Sequence, residues 1–540
     1  MSKIIKDSVH GYIEIEDAFL PVIDSPEFQR LRFIEQDSFR VLYPGARHDR
    51  FIHSLGVYCL AKRFAESFEQ NIKEDLNNFD IDNYKTILEQ CKITFRYAAL
   101  MHDIGHAPFS HTTEDFFKLS VEHDGTIKID SDLINAVKDY NSSTIFESDF
   151  SECTPASHEK ISALFAIRYK KILLQEVQKQ IDFELAARMI TGVTYSYNGL
   201  SDTEKSEYGI KNCFIRLLNS DTADVDKLDY QRRDTMMSGY NNVSVDIDRI
   251  AMSVTAAQTS NGLYPAFRKS ALSVIENVFR SKSEQGNWII SHPVVKYDSA
   301  LLQACIRELL KTTKEDTVTD CDKDERLKTF FNSDIFTKKG LLFEDKNICL
   351  LNDSYFINRF SEEADFENIN IFAEFFDRAS RYKPVWKSYY EYRQLFNIDE
   401  NKGKGERIFL EFKPLIDIVN TKNLFRLDEK VLKEIIDDEN NPEKVKGVAT
   451  KIIEFSNKQE IECSFVILSS DTSFSPKINA DNIHIVFYKM GKSQNTTYAE
   501  LKPKIQSEKP DNYFYFYSKE RFTEDMLKSF IETFAVSPRA

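Results

Sequence analysis

The chain has 540 residues and a formal net charge of −15, with 71 Lys and Arg against 86 Asp and Glu. Because nonspecific nucleic-acid binders neutralise phosphates with a basic field, this balance argues against a DNA- or RNA-coating role. Eight scattered cysteines without a CxxC pair argue against a disulfide scaffold or a zinc ribbon. The start is too polar for a signal peptide, and no stretch approaches the ~20 apolar residues of a membrane span. We therefore expect a cytoplasmic protein of more than one domain, with no membrane and no stable nucleic-acid partner.

The predicted elements begin with a short β-hairpin, because IIKDSVHGYIEIED alternates apolar and polar residues about His10 and Gly11. From residue 24 to about 114 the periodicity is helical, and Ser25 followed by Pro26 is typical of a helix start. Residues from about 118 to 155 are rich in Asp, Ser and Thr. We interpret that stretch as an insertion or a mobile loop.

Helical periodicity resumes after residue 155 and continues to about 311. A charged break follows at 312–328, and a mixed helical region then runs to about 397. Beyond a polar linker, residues 403–540 contain β-branched and aromatic runs such as SFVIL, HIVFY and YFYFY, together with helical patterns. The sequence predicts a mainly α fold: a helical bundle with a short N-terminal β-hairpin, followed by a smaller C-terminal α+β domain.

Four residues form a candidate metal site: His53, the doublet His102 and Asp103, and Asp226. A divalent ion that activates water needs imidazole and carboxylate ligands with one coordination position left open. Adjacent His and Asp near a helix end reach one ion, and residues from other helices complete the set. Taken alone, a single histidine such as His53 is more often a core or surface residue.

A cluster of histidines argues against the interpretation of these residues as ordinary core or surface histidines. MHDIGHAPFSHTTEDF places His102, His106 and His111 within ten residues of a chain that has ten histidines in all. Gly105 and Pro108 break the helix, so the segment is expected to bend across the site. His111 and Glu114 are one helical turn apart, a spacing that suits a proton-handling dyad.

The string DVDKLDYQRRD is the second informative cluster. Asp226, Tyr230 and Asp234 follow one another at i, i+4 steps and share one helical stripe, with Lys227 beside the first carboxylate. A solvated, salt-bridged helix face is the competing interpretation. Arg50 adds a positive charge suited to phosphate oxygens. The sequence contains neither a Walker A string nor GxGxxG, so it does not support a P-loop or Rossmann nucleotide site.

These strings resemble the HD-superfamily dNTP triphosphohydrolases, which include bacterial dGTPases and the mammalian enzyme with a sterile-alpha-motif domain. The matching stretches occur in the family's order within residues 4–240: DSVHGYIEIE, SPEFQRLRFIEQ, YPGARHDRFIHSLGVYCLA, ALMHDIGHAPFSHTTEDF, SHEKIS and DVDKLDYQRRD. The resemblance implies an HD phosphohydrolase region at 1–400, with its core at about 24–311. The region 403–540 has no counterpart in the family and is expected to serve regulation or assembly.

The resemblance also implies roles for individual residues. The metal ion, which Mn, Mg, Fe or Zn would all suit, is bound by His53, His102, Asp103 and Asp226. His111 is the catalytic histidine, Glu114 its acidic partner, and His106 a further active-site histidine. The implied substrate-binding residues are Arg50 and Lys227 at the phosphates, Tyr230, Asp234 and Gln36 at the sugar, with His158 and Lys282 nearby. The implied reaction releases a deoxynucleoside and inorganic triphosphate, and the implied assembly is a homo-oligomer under allosteric control by nucleotides.

Two departures affect the sugar side of this site. The chain reads Gln36-Asp37-Ser38-Phe39 where the family commonly has Gln-Leu followed by small residues. Lys282 and Ile290 stand where the family places an arginine and a tyrosine. The alternatives are therefore another HD phosphohydrolase, acting on ribonucleotides, nucleoside mono- or diphosphates or phosphodiesters, and a catalytically dead HD regulatory module.

Overall fold

The computed structural model shows two compact units. The residues that the structure describes are 2–76, 81–117, 128–142, 145–221, 223–240, 243–260, 262–312, 342–343, 346–347, 351–396, 404–470, 478–489, 492–502 and 513–534. The first unit comprises residues 1–285, 315–355 and 476–506, and the second comprises 286–314, 356–475 and 507–540. The predicted charged break at 312–328 and the linker at 397–403 lie almost wholly outside the described residues.

The predicted N-terminal hairpin is confirmed. Strands Lys3–Asp7 and Gly11–Ile15 pair antiparallel, with Lys3 opposite Ile15 and Asp7 opposite Gly11. Ile13 and Ile15 are buried whereas Tyr12 and Glu14 are exposed, as the alternation of the sequence requires.

Helices dominate the first unit, as predicted. The longest, Arg50–Asp75, is preceded by Asp49, whose side chain accepts a hydrogen bond from the Ile52 N–H and so caps the helix. Helix Lys85–Met101 packs beside it and buries Leu88, Cys91 and Phe95. The other described α-helices that begin in this unit are Leu20–Ile23, Pro26–Gln29, Glu114–Phe117, Lys128–Asn141, Ile145–Ser151, Ser157–Arg168, Gln175–Gln178, Phe183–Thr191, Asp202–Leu218, Val225–Ser238, Ile247–Ser253, Leu272–Gln285, Asp353–Glu363 and Tyr498–Leu501.

The interpretation of 118–155 as a loop is wrong over much of its length, because Lys128–Asn141 and Ile145–Ser151 are helices. Most polar residues of the first helix are at least partly exposed. Ile129, Leu133 and Val137 recur at four-residue steps on one face and are buried. Only three apolar residues form this stripe, so the polar composition of the segment predicted a loop although a helical periodicity was present.

The first unit also contains a four-stranded sheet in the order Lys492–Thr497, His484–Lys489, Gly262–Arg268, Val254–Thr259. Its neighbours are antiparallel except for His484–Lys489, which runs parallel to Gly262–Arg268. Residues far towards the C-terminus therefore complete a sheet of the N-terminal unit. Each compact unit is therefore built from separate stretches of the chain. The regulatory or assembly role expected for residues 403–540 stays a prediction.

The second unit is α+β. Its four-stranded antiparallel sheet has the order Lys383–Pro384, Phe514–Ser518, Ser464–Ser469, Leu427–Asp428. Phe412, Phe514 and Phe530 are buried together with Trp386, which explains the aromatic richness of this region. Its described α-helices are Pro293–Thr312, Ile371–Phe376, Tyr389–Leu395, Lys404–Thr421, Glu429–Asp437, Glu443–Gln459 and Glu524–Phe534, and a π-helix spans Gly286–Ile290. The antiparallel strand pair Leu342–Phe343 and Lys346–Asn347 belongs to the first unit.

Candidate metal centre

Three helices bring the four predicted metal ligands together. His53 lies in the first turns of helix Arg50–Asp75. His102 and Asp103 directly follow helix Lys85–Met101, and Asp226 lies in the first turn of helix Val225–Ser238. The start of that last helix is fixed by Asp224, whose carboxylate accepts a hydrogen bond from the Lys227 N–H at 2.8 Å.

The potential ligand atoms converge closely. His53 Nε2 lies 3.0 Å from Asp226 Oδ1, 3.3 Å from His102 Nε2 and 3.6 Å from Asp103 Oδ2. His102 Nε2 lies 3.5 Å from Asp226 Oδ1 and 3.4 Å from Asp103 Oδ1. Segments 49 to 173 residues apart in sequence thus bring potential ligand atoms of His53, His102 and Asp226 together. Asp103 lies against both imidazoles through its two carboxylate oxygens.

Both imidazoles are oriented by a partner on the far side of the ring. His102 Nδ1 donates to the Ala99 carbonyl at 2.7 Å, and His53 Nδ1 donates to Asp229 Oδ2 at 2.7 Å. These bonds fix the tautomer and leave each Nε2 as a lone-pair donor toward the shared point. The donor set therefore fits a divalent cation with nitrogen and oxygen ligands.

Without a cation, His53 is protonated and Asp226 is ionised. Burial lowers the pKa of His53, but hydrogen bonds to Asp226 and Asp229 outweigh it and raise the pKa to about 10. Burial opposes ionisation of Asp226 too, yet its hydrogen bonds to His102 and His53 hold its pKa well below the usual range. A cation bound at this point would displace those imidazole protons.

A second group of side chains lies beside the ligands: His106, His111, Glu114 and His158, whose potential ligand atoms all lie within 4.8 Å of one another. The His106 and His158 rings stack at 3.9 Å, and the His111 ring meets them edge-on at 5.0 and 5.3 Å. Gly105 permits this close approach, because a Cβ there would lie 2.5 Å from the His158 carbonyl oxygen.

The structure pairs Glu114 with His158, whereas the sequence predicts a dyad of Glu114 and His111. The Glu114 carboxylate accepts hydrogen bonds from the His158 N–H at 2.9 Å and from His158 Nδ1 at 3.0 Å. Since His158 is at the start of helix Ser157–Arg168, the carboxylate also satisfies an otherwise unpaired helical N–H. Spacing along the chain alone does not reveal this contact between distant segments.

The three histidines of this group differ in protonation. Burial lowers the pKa of His158, but Glu114 more than compensates and raises it to about 9. Burial and the nearby Arg50 lower the pKa of His111 to about 3, and burial also holds the pKa of His106 well below its usual range. At neutral pH His158 is therefore the protonated imidazole and His111 is a neutral one.

The two predicted phosphate-binding cations already have partners in the chain. Arg50 donates to Asp103 at 2.8 Å, to Ser110 Oγ at 2.9 Å and to the Gln36 carbonyl at 3.1 Å. Lys227 donates to Asp224 at 2.5 Å and to the Ser220 carbonyl. Both cations are buried, and Arg50 is paired directly with the predicted ligand Asp103.

The predicted sugar-side residues come from three places in the first unit. Tyr230 and Asp234 lie on helix Val225–Ser238, Lys282 lies on helix Leu272–Gln285, and Gln36 precedes helix Arg50–Asp75. Lys282 Nζ lies 3.4 Å from the Tyr230 hydroxyl, and burial followed by repulsion from Lys227 lowers the pKa of Lys282 to about 7. Asp234 accepts hydrogen bonds from His48 at 2.7 Å and Gln285 at 2.6 Å. Gln36 is buried, and its Oε1 has no hydrogen-bond partner among the described residues.

The group that holds His53 in place is not indicated by the sequence motifs. Besides His53, Asp229 accepts hydrogen bonds from His10 at 2.6 Å and from Arg233 Nε at 2.8 Å, and Arg233 in turn reaches Asp7 at 2.9 Å. Asp229 and Arg233 both lie inside the string DVDKLDYQRRD, and His10 and Asp7 lie inside the hairpin string. The motifs therefore contain these residues, but a motif does not distinguish a metal ligand from a residue that orients a ligand.

Comparison with known proteins agrees with this geometry. The HD domain family model matches residues 50–210. The chain is 24% identical over 442 residues to an uncharacterized protein of Methanocaldococcus jannaschii, covering 79% of this chain and 74% of that protein. It is similar, over shorter stretches, to proteins named deoxynucleoside triphosphate triphosphohydrolase SAMHD1: 39% identical over 116 residues in Bos taurus and 38% over 116 residues in Homo sapiens. Those stretches cover 21% of this chain but only 18% and 17% of the two relatives.

A solved structure shares the fold. The crystal structure of a hypothetical protein from Aquifex aeolicus superposes with a TM-score of 0.54 at 19% identity, covering 98% of this chain and 100% of that one. Residues 50–210 therefore carry an HD-superfamily core. Within the described ranges, no helix has the length and apolar character needed to cross a bilayer.

Proposed function

We propose that this chain is a metal-dependent nucleotide phosphohydrolase that converts deoxynucleoside triphosphates to deoxynucleosides and inorganic triphosphate. The observation that carries the proposal is the convergence of His53, His102, Asp103 and Asp226 within an HD domain. The local similarity to relatives named as deoxynucleoside triphosphate triphosphohydrolases supports the choice of substrate.

The four ligands would hold one divalent ion, which supplies Lewis-acid polarisation of a phosphate oxygen and activation of water. We assign proton delivery to the leaving 5′-oxygen to His111, which lies half-buried beside the metal ligands. Because His111 is neutral at rest, it has to receive the proton that it delivers. His158, protonated and in edge-on contact with it, is the nearest source, and Glu114 keeps that source oriented.

Arg50 and Lys227 are assigned to the phosphates. Each is now paired with a carboxylate, so a bound triphosphate would compete with Asp103 and Asp224 for them. Since both cations are buried and already in place, little conformational entropy would be lost when they contact the substrate.

A second candidate function, hydrolysis of ribonucleotides, is favoured by Asp37. Burial and the neighbouring Asp234 carboxylate raise the pKa of Asp37 to about 8, so that at neutral pH it is a carboxylic acid. A neutral carboxyl group both donates and accepts hydrogen bonds and thus suits a hydroxyl ligand. The leucine that the resembled family commonly has at this position would offer no hydrogen bond to a hydroxyl. The difference would favour a ribose, which has a 2′-hydroxyl, over a deoxyribose.

One product analysis tests both candidates. The protein is incubated with each NTP and dNTP in Mn²⁺ or Mg²⁺, and the products are resolved by anion-exchange chromatography, with His53→Ala as the control. We expect inorganic triphosphate and a deoxynucleoside from at least one dNTP, and no product from His53→Ala. Release of orthophosphate or a 5′-nucleotide would contradict the proposed reaction, and faster turnover of NTPs would favour the second candidate. Absence of turnover, together with absence of bound metal, would favour a regulatory HD module.

We also propose that the chain is a cytoplasmic homo-oligomer controlled by a nucleotide effector, with a role for residues 403–540 in regulation or assembly. Deleting that whole region would remove strands His484–Lys489 and Lys492–Thr497 from the sheet of the first unit. Mass photometry of the intact protein with and without dNTP is the better test. A monomer under all conditions would refute the assembly.

A further inference from the structure

The turn between the His102–Asp103 doublet and His111 has an unfavourable backbone conformation. Phe109 and Ser110 have φ angles of 61° and 53°, in the left-handed region that residues with a side chain rarely adopt. Two such residues in succession persist only where surrounding contacts hold them. Because His106 and His111 flank this turn, whatever holds the turn also sets the positions of both imidazoles.

One carboxylate, far away in sequence, contacts the turn directly. Asp353 Oδ1 accepts a hydrogen bond from the Phe109 N–H at 2.7 Å, and Asp353 Oδ2 accepts one from the Glu35 N–H at 2.9 Å. Asp353 is 5% exposed, so water does not substitute for either bond. It therefore links the histidine-bearing turn to the segment that carries Glu35 and Gln36.

Arg30 strengthens the same connection. Its Nε donates to the Leu351 carbonyl at 2.5 Å, its Nη1 to the Ile104 carbonyl at 3.4 Å, and its Nη2 to the His106 carbonyl. Ser110 Oγ in turn donates to the Glu35 carbonyl at 2.5 Å and accepts from Arg50. The segment 351–353 is thus tied to both ends of the turn through buried groups.

We propose that Asp353 is a positioning residue for the hydrolytic site, whose carboxylate holds the turn at Phe109 and Ser110 and thereby places His106 and His111 beside the metal ligands. Asp353 lies outside the HD match at 50–210, and no sequence motif indicates it. Its effect on turnover rests on the proposed function, whereas its effect on the turn does not.

The two bonds require an ionised carboxylate. A carboxylate accepts from both N–H groups, whereas an amide or a neutral acid presents one good acceptor and one donor to them. Burial raises the pKa of Asp353 to about 7, while the N–H groups of Glu35 and Phe109 oppose that shift. Of the charged side chains facing it, Glu35 raises this pKa further and Arg30 lowers it.

Asp353→Asn is the test variant, because it keeps the shape and removes one acceptor. Asp149→Asn is the matched control: Asp149 is also a buried carboxylate of the first unit, but it accepts from Arg188 at 2.9 Å, in a separate network. Hydrogen–deuterium exchange of the peptide containing Phe109 reports on the turn without needing activity. We expect exchange about tenfold faster in Asp353→Asn and unchanged in Asp149→Asn, as the loss of one buried hydrogen bond implies.

The wild type supplies a second measurement that does not depend on the folding of a variant. After correction for intrinsic exchange, protection of the same peptide should fall between pH 8 and pH 6, as Asp353 becomes protonated.

In assays of the intact protein, Asp353→Asn should lower kcat about tenfold, leave KM within twofold, retain the bound metal and lose the wild type's pH dependence near 7. Unchanged exchange in Asp353→Asn and at both pH values would overturn the proposal. Lack of turnover in the wild type would refute the proposed function and leave the exchange test intact.

Discussion

The Asp229 carboxylate, which is completely buried, accepts a hydrogen bond from His53 Nδ1 at 2.7 Å and so determines which nitrogen of His53 faces the metal site. The same carboxylate is held by Arg233 and His10, so its position is fixed from three sides. A residue that binds neither metal nor substrate in the proposed scheme thus controls a ligand.

Replacing Asp229 tests this control. In Asp229→Asn the amide no longer favours the Nδ1–H tautomer, and we expect metal affinity to fall about 10–100-fold, as is typical when a partner of a ligating histidine is lost. Isothermal titration with Mn²⁺ of the chelator-treated protein measures the affinity. The control Asp248→Asn, whose side chain is 63% exposed, should bind like the wild type. Equal affinities for all three proteins would refute this role of Asp229.

Gly56 tests the same contact from the opposite side. A Cβ at residue 56 would lie 2.1 Å from Asp229 Oδ1 and 2.4 Å from Arg233 Nη2, so Gly56→Ala must push this buried network aside. We expect a loss of about 1–3 kcal/mol in the free energy of unfolding and weaker metal binding. Gly447→Ala is the control, because nothing lies within 4 Å of its Cβ on helix Glu443–Gln459. It should stabilise the helix by up to about 1 kcal/mol, as Gly-to-Ala changes do at unhindered helical sites. Thermal unfolding that is unaffected by Gly56→Ala would contradict the close packing.

The Glu114–His158 pair predicts a pH dependence of stability. The pKa of His158 rises from 6.5 to about 9 on folding, so its contribution is complete below pH 6.5 and is lost as the pH rises through 9. The pKa of Glu114 falls from 4.5, so its contribution is present above pH 4.5. The difference in unfolding free energy between the wild type and Glu114→Gln should therefore be largest between pH 4.5 and 6.5, at about 3 kcal/mol, and shrink toward pH 9.

Urea unfolding at a series of pH values measures that difference. Glu184→Gln is the matched control, since Glu184 is buried and accepts from Arg188 at 2.8 Å, and a guanidinium keeps its charge across this range. Its difference from the wild type should be flat from pH 6 to 9. The same flat profile for Glu114→Gln would show that His158 is not protonated by its contact with Glu114.

Asp37 predicts a change in sugar preference. Asp37→Leu removes the carboxyl group, and we expect the ratio of kcat/KM for dNTP to that for the matching NTP to rise about tenfold, the equivalent of one hydrogen bond to a hydroxyl. Steady-state kinetics with the two substrates measure the ratio. A ratio that does not change would remove the support that Asp37 gives to the ribonucleotide candidate.

The sequence predicted those parts of the fold and site that follow from local pattern. The hairpin about His10 and Gly11 is read from alternation, and the C-terminal strands from β-branched and aromatic runs. The HD doublet lies at the end of a helix because Gly105 and Pro108 follow it. Each of these features depends on residues within a few positions of one another.

Contacts between distant segments were not predictable in this way. Nothing in the spacing of His111 and Glu114 shows that the carboxylate turns to His158, 44 residues further on. Asp353 contacts Phe109 across 244 residues, and a single buried aspartate has no periodicity to reveal it. The sequence pattern predicted the strand His484–Lys489 but not its pairing with Gly262–Arg268 in the first unit. The alternation within a strand does not show which other strand it pairs with.

The central claim is that His53, His102, Asp103 and Asp226 share one divalent cation, and metal stoichiometry tests it most directly. The wild type and Asp226→Ala are purified in parallel, and their bound metal is measured by plasma mass spectrometry, with circular dichroism to confirm the fold. We predict about one divalent ion per chain in the wild type and a loss of most of it in Asp226→Ala. A folded Asp226→Ala protein that keeps the wild-type metal content would contradict the shared site.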